Sequence, residues 1–177
     1  MESSIYTPLT SNVVTQQLVE HCCALYKLDH HGDHGYAHWM RVLYNGRMLS
    51  KVTRANQTVV ELFAMLHDTH REDEYQDPDH GLRAGMYAKR LWEQDNRVLG
   101  VKLTENEADQ LIYALTRHTG GLPEESMDAT IATCCDADRL DLWRVGIRPN
   151  PQLLCNEYAQ RTEVIEEACQ RAVTGAS

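Results

Sequence analysis

Apolar residues recur at three- and four-residue spacing along most of the chain, which is typical of amphipathic α-helices. In the segment from about residue 11 to 28, for example, Val14, Leu18, Cys22 and Leu25 fall on one face. The same spacing predicts further helices at about residues 36–53, 81–93, 104–118, 128–143 and 151–172. We therefore predict an all-α fold, built as a helical bundle.

The segment 59–66 has no clear period, because nearly every residue in it is apolar. Such a run fits a buried helix and a buried strand equally well. We predict a central helix, since no other segment of the chain offers a partner strand. The polar and acidic stretch 69–80 that follows contains Pro78 and predicts a loop.

Local signals mark both ends of the fifth predicted helix. Thr104 is a typical N-cap residue, and Glu107 stands three residues later, as in a capping box. Gly120, Gly121 and Pro123 follow the apolar pattern and are expected to end the helix.

The chain has 177 residues, of which 42% are hydrophobic, and a formal net charge of −9. With no repeat, low-complexity tract or linker, this length predicts a single domain over residues 1–177. The negative charge disfavours binding to long nucleic acid, because it repels the phosphate backbone. A small phosphorylated molecule stays compatible with that charge, because a divalent metal ion inverts the field of an acidic pocket.

No apolar stretch reaches the length of a membrane span of about 18 residues, and no signal-peptide pattern is present, so no membrane association is expected. None of the six cysteines forms a C-x-x-C motif; they are Cys22, Cys23, Cys134, Cys135, Cys155 and Cys169. We interpret them as buried free thiols of a reducing compartment. The expected location is therefore cytoplasmic.

Histidine and aspartate residues stand at the ends of the predicted helices: His38, His67, Asp68, His80, His118, Asp136 and Asp138. Packing of the helices would bring such residues to one interior position, as in the metal sites of helical bundles. An unpaired carboxylate beside the apolar segment 59–66 would cost several kcal/mol, so Asp68 needs a cationic partner. Arg71, Arg139 or a metal ion could provide it, and the excess of imidazoles favours the metal.

Imidazole and carboxylate ligands together suit a divalent ion such as Mn, Fe, Zn, Co, Ni or Mg. Each residue taken alone has a simpler interpretation. A single histidine in a helix is usually structural or faces solvent, and Asp138 could pair with Arg139. The joint pattern therefore carries the metal prediction.

The order His38, His67-Asp68, Asp138 resembles the motif of the HD-domain superfamily of metal-dependent phosphohydrolases. The local sequences are similar as well: His-Trp-Met-Arg-Val at 38–42, Ala-Met-Leu-His-Asp at 64–68 and Asp-Ala-Asp-Arg-Leu-Asp at 136–141, all within about residues 30–148. The resemblance implies an all-α fold of the HD-domain type. It also implies metal-ligand roles for His38, His67, Asp68 and Asp138, with Asp136 supporting the ligands or packing between helices.

His80 and His118 extend the resemblance, because some HD-domain proteins have additional histidines at similar places. In some members these residues help to hold two metal ions, with the aspartate of the His-Asp pair, here Asp68, as the bridge. In others they lie near a single ion and contact the substrate phosphate, so both roles stay open. Among the other histidines, His34 is expected at the pocket rim, and His30, His31 and His70 in solvent, with His21 unassigned.

The resemblance breaks down at Arg71. Nucleotidase and alarmone-hydrolase members with a similar pattern often have an acid–base glutamate three residues after the aspartate. Here the nearby carboxylates are Glu72 and Asp73, so the identity of the general base stays open. Arg71 could bind a phosphate through its planar guanidinium, or form a surface pair with Glu72 or Glu74. The chain lacks the Gly-Tyr-Pro motif of cyclic-di-GMP phosphodiesterases.

These features predict a metal-dependent phosphohydrolase that acts on a nucleotide or another small phosphorylated metabolite through a metal-bound hydroxide. One or two divalent ions would be its cofactor. The predicted catalytic residues are Asp68 and Arg71, and the predicted substrate contacts are Arg71, His80, His118 and Arg139. Two other classes stay open: a di-iron oxygenase, which needs the same ligands, and a non-catalytic regulatory module. The helix predicted at 151–172 could cover the core or mediate a homo-oligomer.

Overall fold

Seven α-helices occur among the residues that this computed structural model describes, 11–94, 96–120, 124 and 127–175. The helices are α1 (Gln16–Leu25), α2 (Tyr36–Thr53), α3 (Gln57–Leu66), α4 (His80–Gln94), α5 (Glu105–Arg117), α6 (Ala129–Arg139) and α7 (Thr162–Thr174). Short 3-10 helices occur at Asn96–Leu99, Leu142–Val145 and Pro151–Leu153. No strand occurs among the described residues, so the all-α prediction is confirmed for them.

The apolar segment 59–66 is helical, as predicted, and lies at the centre of the fold. Helix α3 contacts α1, α2, α5 and α6, and every side chain in this segment is buried. The side chain of Asn56 caps the helix by accepting a hydrogen bond from the N–H of Val59 at 3.3 Å. Because residues 59–66 are buried on every side of the helix, its C-terminal end carries His67 and Asp68 into the interior.

Helices α4 and α5 pack closely, and Gly81 allows their approach. A Cβ atom at Gly81 would collide with the side chain of Thr119 and with the carbonyl of Leu115. The missing side chain therefore lets the start of α4 lie against the end of α5. His80 and His118 stand at these two ends, so the close packing brings their rings together.

The predicted capping box is present at the start of α5. Thr104 Oγ1 accepts a hydrogen bond from the N–H of Glu107 at 3.3 Å, and the Glu107 carboxylate accepts one from the N–H of Thr104 at 2.8 Å. The helix ends one residue before His118. Gly121 and Pro123, which were predicted to end it, lie outside the described residues.

Two predicted helices are shorter in the structure. Helix α1 begins at Gln16 and not at residue 11, because Thr15 accepts a hydrogen bond from the N–H of Leu18 and caps it. Helix α6 ends at Arg139, and the predicted continuation to residue 143 is replaced by the separate 3-10 helix Leu142–Val145. The chain turns at this point and places Asp141 in the interior.

The prediction of a continuous helix at 151–172 is wrong, because only its second half is α-helical. The buried carboxylate of Asp136, on α6, accepts hydrogen bonds from the N–H groups of Cys155 and Asn156 at 2.7 and 2.8 Å. The side-chain amide of Asn156 adds a third at 2.7 Å. Asp136 therefore anchors a non-helical segment to α6, and α7 begins only after it.

Candidate metal centre

The six predicted ligands meet at one interior position. His38 lies in the first turn of α2, His67 and Asp68 follow α3, His80 opens α4, His118 follows α5, and Asp138 lies in the last turn of α6. Five of these side chains are buried and Asp138 is half-buried. They form two neighbouring groups that could each hold a metal ion: His38, His67 and Asp138, and Asp68, His80 and His118. The ligand atoms within each group lie within 4.8 Å of one another.

The first group is built around two imidazoles. Nε2 of His38 lies 2.9 Å from Nε2 of His67. Oδ1 of Asp138 lies 3.3 Å from the Nε2 atom of His38 and 4.0 Å from that of His67. Helices α2, α3 and α6 thus each contribute one ligand, and the α3 ligand is positioned by the apolar core helix.

Asp68 belongs to the second group and also faces the first. Its Oδ1 atom lies 3.2 Å from Nε2 of His80 and 3.9 Å from Nε2 of His118, and these two nitrogens are 2.9 Å apart. Its Oδ2 atom lies 3.5 Å from Nε2 of both His38 and His67. Each carboxylate oxygen is therefore directed to a different group, as a bridging ligand requires.

The Nδ1 atom of each of the four imidazoles has its own acceptor. His38 donates to Asp141 Oδ2 at 2.7 Å, His67 to the Ala64 carbonyl at 3.1 Å, His80 to the Asp77 carbonyl at 2.5 Å and His118 to the Leu115 carbonyl at 2.7 Å. A neutral imidazole has one N–H, so a donating Nδ1 leaves a lone pair on Nε2. In the pair His38–His67 and in the pair His80–His118, two Nε2 lone pairs therefore face each other beside a carboxylate. A proton could satisfy one such contact, whereas a metal ion satisfies a whole group.

Burial and mutual contacts set the charge states of the cluster. Burial lowers the pKa of His67 to about 3, so this imidazole is neutral at pH 7. Burial acts to raise the pKa of Asp68, but the surrounding histidines, His67 above all, hold that pKa well below its usual range. The pKa of Asp138 is also far below its ordinary value, because its contact with His38 outweighs burial. Burial acts to lower the pKa of His118, but Asp68 and Asp138 raise it above its ordinary value. Ionised carboxylates and neutral imidazoles are the forms that bind metal ions, so metal binding at His118 would release a proton.

Asp141 is a buried residue of this site that was not predicted from the sequence. Its carboxylate is 1% exposed and accepts hydrogen bonds from Nδ1 of His38 and from Nε of Arg41, each at 2.7 Å. Burial acts to raise the pKa of Asp141, but the contacts with His38 and Arg41 hold it below its ordinary value. This carboxylate orients the His38 ring and leaves Nε2 free to bind a metal. The sequence did contain a signal: Asp141 is the last aspartate of Asp-Ala-Asp-Arg-Leu-Asp at 136–141, a segment that resembles the HD-domain motif.

Arg71 lies inside the cluster, so the alternative of a surface pair with Glu72 or Glu74 is wrong. Its Nη1 atom lies 3.6 Å from Oδ1 of Asp68 and 3.2 Å from Nε2 of His80. The guanidinium is buried together with these side chains. It therefore places a permanent positive charge next to the second group.

A cavity of about 330 Å³ opens onto both groups. It is lined by Asp68, His80, His118 and Asp138 and by three arginines, Arg71, Arg139 and Arg144. Nη1 of Arg139 donates to the carbonyl of Leu153 at 2.9 Å. Arg144, which the sequence analysis did not select, donates from Nε to the Asp33 carbonyl at 2.8 Å and from Nη1 to the Asp141 carbonyl at 3.2 Å.

The histidines of the loop before α2 lie outside the cluster. Nδ1 of His34 contacts the Glu74 carboxylate at 2.8 Å, and the ring is buried. Among the described residues it is not part of the cavity lining, so the predicted rim position does not match the structure. His31 is exposed as predicted, whereas His30 is half-buried.

His70 was predicted to face solvent, and this is wrong. Its ring is half-buried against the ring of Tyr87, with 4.5 Å between the ring centroids. The hydroxyl group of Tyr87 in turn lies 2.5 Å from Nε2 of His21, the histidine for which the sequence suggested no role. These two histidines therefore help to join α1 and the loop after α3 to α4.

The six cysteines are free thiols; Cys22, Cys134 and Cys135 are buried, and Cys23, Cys155 and Cys169 are half-buried. Within the described part of the chain, no helix combines the length and apolar character needed to cross a membrane. The helical fold with its cluster of histidine and aspartate side chains is compatible with an HD-like metal site. Comparisons with protein-family models, curated proteins and solved structures gave no match to this chain.

Proposed function

We propose that this protein is an HD-type, metal-dependent phosphohydrolase that acts on a nucleotide or another small phosphorylated metabolite. The observation that carries the proposal is the meeting of four imidazole Nε2 lone pairs and two carboxylates at one cavity. Nitrogen and oxygen ligands in this mixture suit divalent transition ions. The order of the ligands along the chain adds support for the HD-type assignment.

The expected reaction is hydrolysis of a phosphate ester. The oxygen of water joins phosphorus, the bond from phosphorus to the ester oxygen breaks, and one proton of the water ends on the released alcohol. A bound divalent ion would lower the pKa of a coordinated water from 15.7 towards about 7 and would neutralise phosphoryl oxygens. The protein residues would hold the ligands, orient the phosphate and supply positive charge around it.

Two arginines would bind the phosphate. Arg71 lies beside the Asp68 carboxylate, with 3.6 Å between Nη1 and Oδ1. Arg144 lines the same cavity, and the carbonyls of Asp33 and Asp141 hold its Nε and Nη1 groups. A guanidinium fixed by its own contacts loses little further freedom when it binds a phosphate. These charges would offset those of a dianionic substrate in an acidic protein.

The orientation of His80 and His118 favours metal binding over direct contact with phosphate. Their Nδ1 groups donate to the carbonyls of Asp77 and Leu115, so both rings turn an acceptor nitrogen towards the cluster. An Nε2 lone pair repels a phosphate oxygen but binds a cation. We therefore propose two ions per chain, with Asp68 bridging them.

The test is metal analysis combined with phosphate release. The full chain is loaded with Mn²⁺ or Fe²⁺, its metal content is counted, and it is assayed with nucleotides and other small phosphate esters. We expect up to two ions per chain, and turnover that is lost in His67→Ala but kept in the control His31→Ala, which changes an exposed histidine. Stoichiometric metal binding without hydrolysis of any compound would contradict the proposal.

The bridging position of Asp68 also suits two irons, which favours one alternative, an oxygen-activating di-iron enzyme. Oxygen consumption by the iron-loaded protein, without phosphate release, would support this alternative. A regulatory module without catalysis is the third candidate. It would be favoured if His67→Ala removed the metal but kept the biological effect of the protein.

A further inference from the structure

The cavity has an apolar side as well as the polar side formed by the metal ligands. Four apolar residues line this side, and we call them the leucine wall: Leu142, Pro149, Leu153 and Leu154. Leu154 is 2% exposed and Leu153 is 44% exposed. The leucine wall therefore extends from the interior of the domain to its surface, and it offers an apolar contact to any group that enters.

Three polar side chains next to the leucine wall are held in place by hydrogen bonds within the protein. The side-chain oxygen of Asn150 accepts a hydrogen bond from the N–H of Gln152 at 3.0 Å. Nη1 of Arg139 donates to the carbonyl of Leu153, and the Nε and Nη1 groups of Arg144 donate to backbone carbonyls. The leucine and proline side chains of the wall have no hydrogen-bonding group, so a hydroxyl group pressed against them would lose its water without a matching partner, which weakens binding.

We propose that the substrate is a phosphate monoester with an apolar organic group, which lies on the leucine wall while the phosphate lies at the metal groups. This inference rests on the proposed function, because it takes the phosphate to be the group that the ions and arginines hold. A polyol phosphate or pyrophosphate would instead bring hydroxyls or charge against apolar carbon. The cavity of about 330 Å³ lies at the small end of the range for small-molecule sites, which suits a compact organic group.

A binding experiment separates this inference from catalysis. Hexylphosphonate and methylphosphonate share a headgroup that cannot be hydrolysed, and both are titrated into the full chain loaded with Mn²⁺. Each methylene group that is buried contributes about fourfold in affinity, so hexylphosphonate should bind at least about tenfold more tightly. Equal affinities for the two phosphonates would overturn the inference.

A pair of matched variants locates the effect at the leucine wall. Leu153→Asn should reduce the hexyl-to-methyl affinity ratio by at least about threefold, while the affinity for methylphosphonate stays the same. Leu82→Asn is the control, because Leu82 is 47% exposed and lies on α4, outside the cavity lining. An unchanged ratio in Leu153→Asn, or an equal loss in both variants, would place the organic group elsewhere and overturn the inference.

Turnover provides the second readout. Hexyl phosphate and glucose 6-phosphate are both six-carbon primary esters, and the polyol is the better leaving group. We nevertheless expect kcat/KM to be at least about tenfold higher for hexyl phosphate. Equal or faster turnover of glucose 6-phosphate would refute the inference and leave the proposed function standing. If neither ester reacts, the proposed function is in question, while the phosphonate affinities still decide the inference.

Discussion

Helix α3 carries two buried carboxylates, one within the helix and one just after it, and they have opposite surroundings. Glu61 is 1% exposed and Asp68 is 2% exposed. Glu61 receives hydrogen bonds from Nε of Arg47 at 2.8 Å, from the amide of Gln57 at 2.7 Å and from the hydroxyl of Ser11. Its charge is thus satisfied by donors that the protein supplies.

Asp68 lies instead among acceptors. The Nε2 atoms of four imidazoles surround it, and Arg71 is the nearby cation among the described residues. Equal burial of a carboxylate therefore does not mean an equal role. Donors around a carboxylate make a structural contact, whereas acceptors around it make a position for a cation. The following predictions test this difference.

The largest effect is expected for Asp68→Asn, which removes the charge between the two metal groups. Metal affinity should fall at least about a hundredfold, because loss of a direct ligand exceeds the 10–100-fold effect of an outer partner. Phosphate release should be lost with it. Calorimetric titration with Mn²⁺ measures the affinity, and Glu61→Gln, which should stay within about twofold of the wild type, is the matched control. Two ions bound normally by Asp68→Asn would refute the bridging role.

The second prediction concerns the contribution of Glu61 to the stability of the fold. Glu61→Ala leaves Arg47 without its carboxylate, so the free energy of unfolding should fall by about 3 kcal/mol. Denaturant unfolding of the metal-free protein measures this change. The metal affinity of the folded variant should be unchanged, since the affected contacts do not reach the cluster. A change in unfolding free energy below about 1 kcal/mol would mean that the contact between Glu61 and Arg47 does not stabilise the fold more than a surface ion pair does.

A smaller effect on the metal side is expected for Asp141→Asn. The variant keeps the shape of the side chain but removes the charge that faces Nδ1 of His38. Metal affinity should fall about 10–100-fold, as for other outer partners of ligating histidines. Calorimetry with Mn²⁺ can resolve whether the weakened site is the one that contains His38. An equal loss at both sites would argue for a general structural defect.

The smallest effect concerns pH. Burial acts to raise the pKa of Glu61, but the hydrogen bonds from Arg47, Ser11 and Gln57 hold it below its ordinary value of 4.5. Glu61 therefore stabilises the folded state above about pH 4.5, and this contribution is lost as the pH falls through the lowered pKa. Glu61→Gln should make the free energy of unfolding less dependent on pH in this acidic range. Parallel pH dependence of the two proteins would contradict the role of Glu61.

Much of the helical architecture could be predicted from the sequence, because helix formation depends on local patterns. The three- and four-residue spacing located the helices, and Thr104 with Glu107 marked the start of α5 correctly. The choice between helix and strand at 59–66 needed a further argument, the lack of a partner strand, and it was right. Chemical type and position at predicted helix ends indicated the candidate residues of the metal cluster, and the resemblance to the HD-domain motif favoured Asp138 over Asp136.

Other features of the structure depend on contacts between distant parts of the chain, which local sequence patterns do not contain. Asp136 holds the backbone of Cys155 and Asn156, which breaks the helix predicted at 151–172. Packing also placed Arg71 inside the cluster and Asp141 behind His38. These contacts join residues from different elements or from the turn after a helix, so no local period reports them.

The orientation of the imidazoles shows most clearly which features follow from the sequence and which follow from tertiary packing. Residue type alone indicates that a histidine can bind a metal. Which nitrogen faces the metal depends on the acceptor at the other nitrogen, such as the carbonyl of Leu115 for His118. For His38 that acceptor is the carboxylate of Asp141, which lies 103 residues further along the chain. The sequence by itself therefore determined the ligand types, and the fold determined that their lone pairs converge, because only packing brings distant acceptors behind the rings.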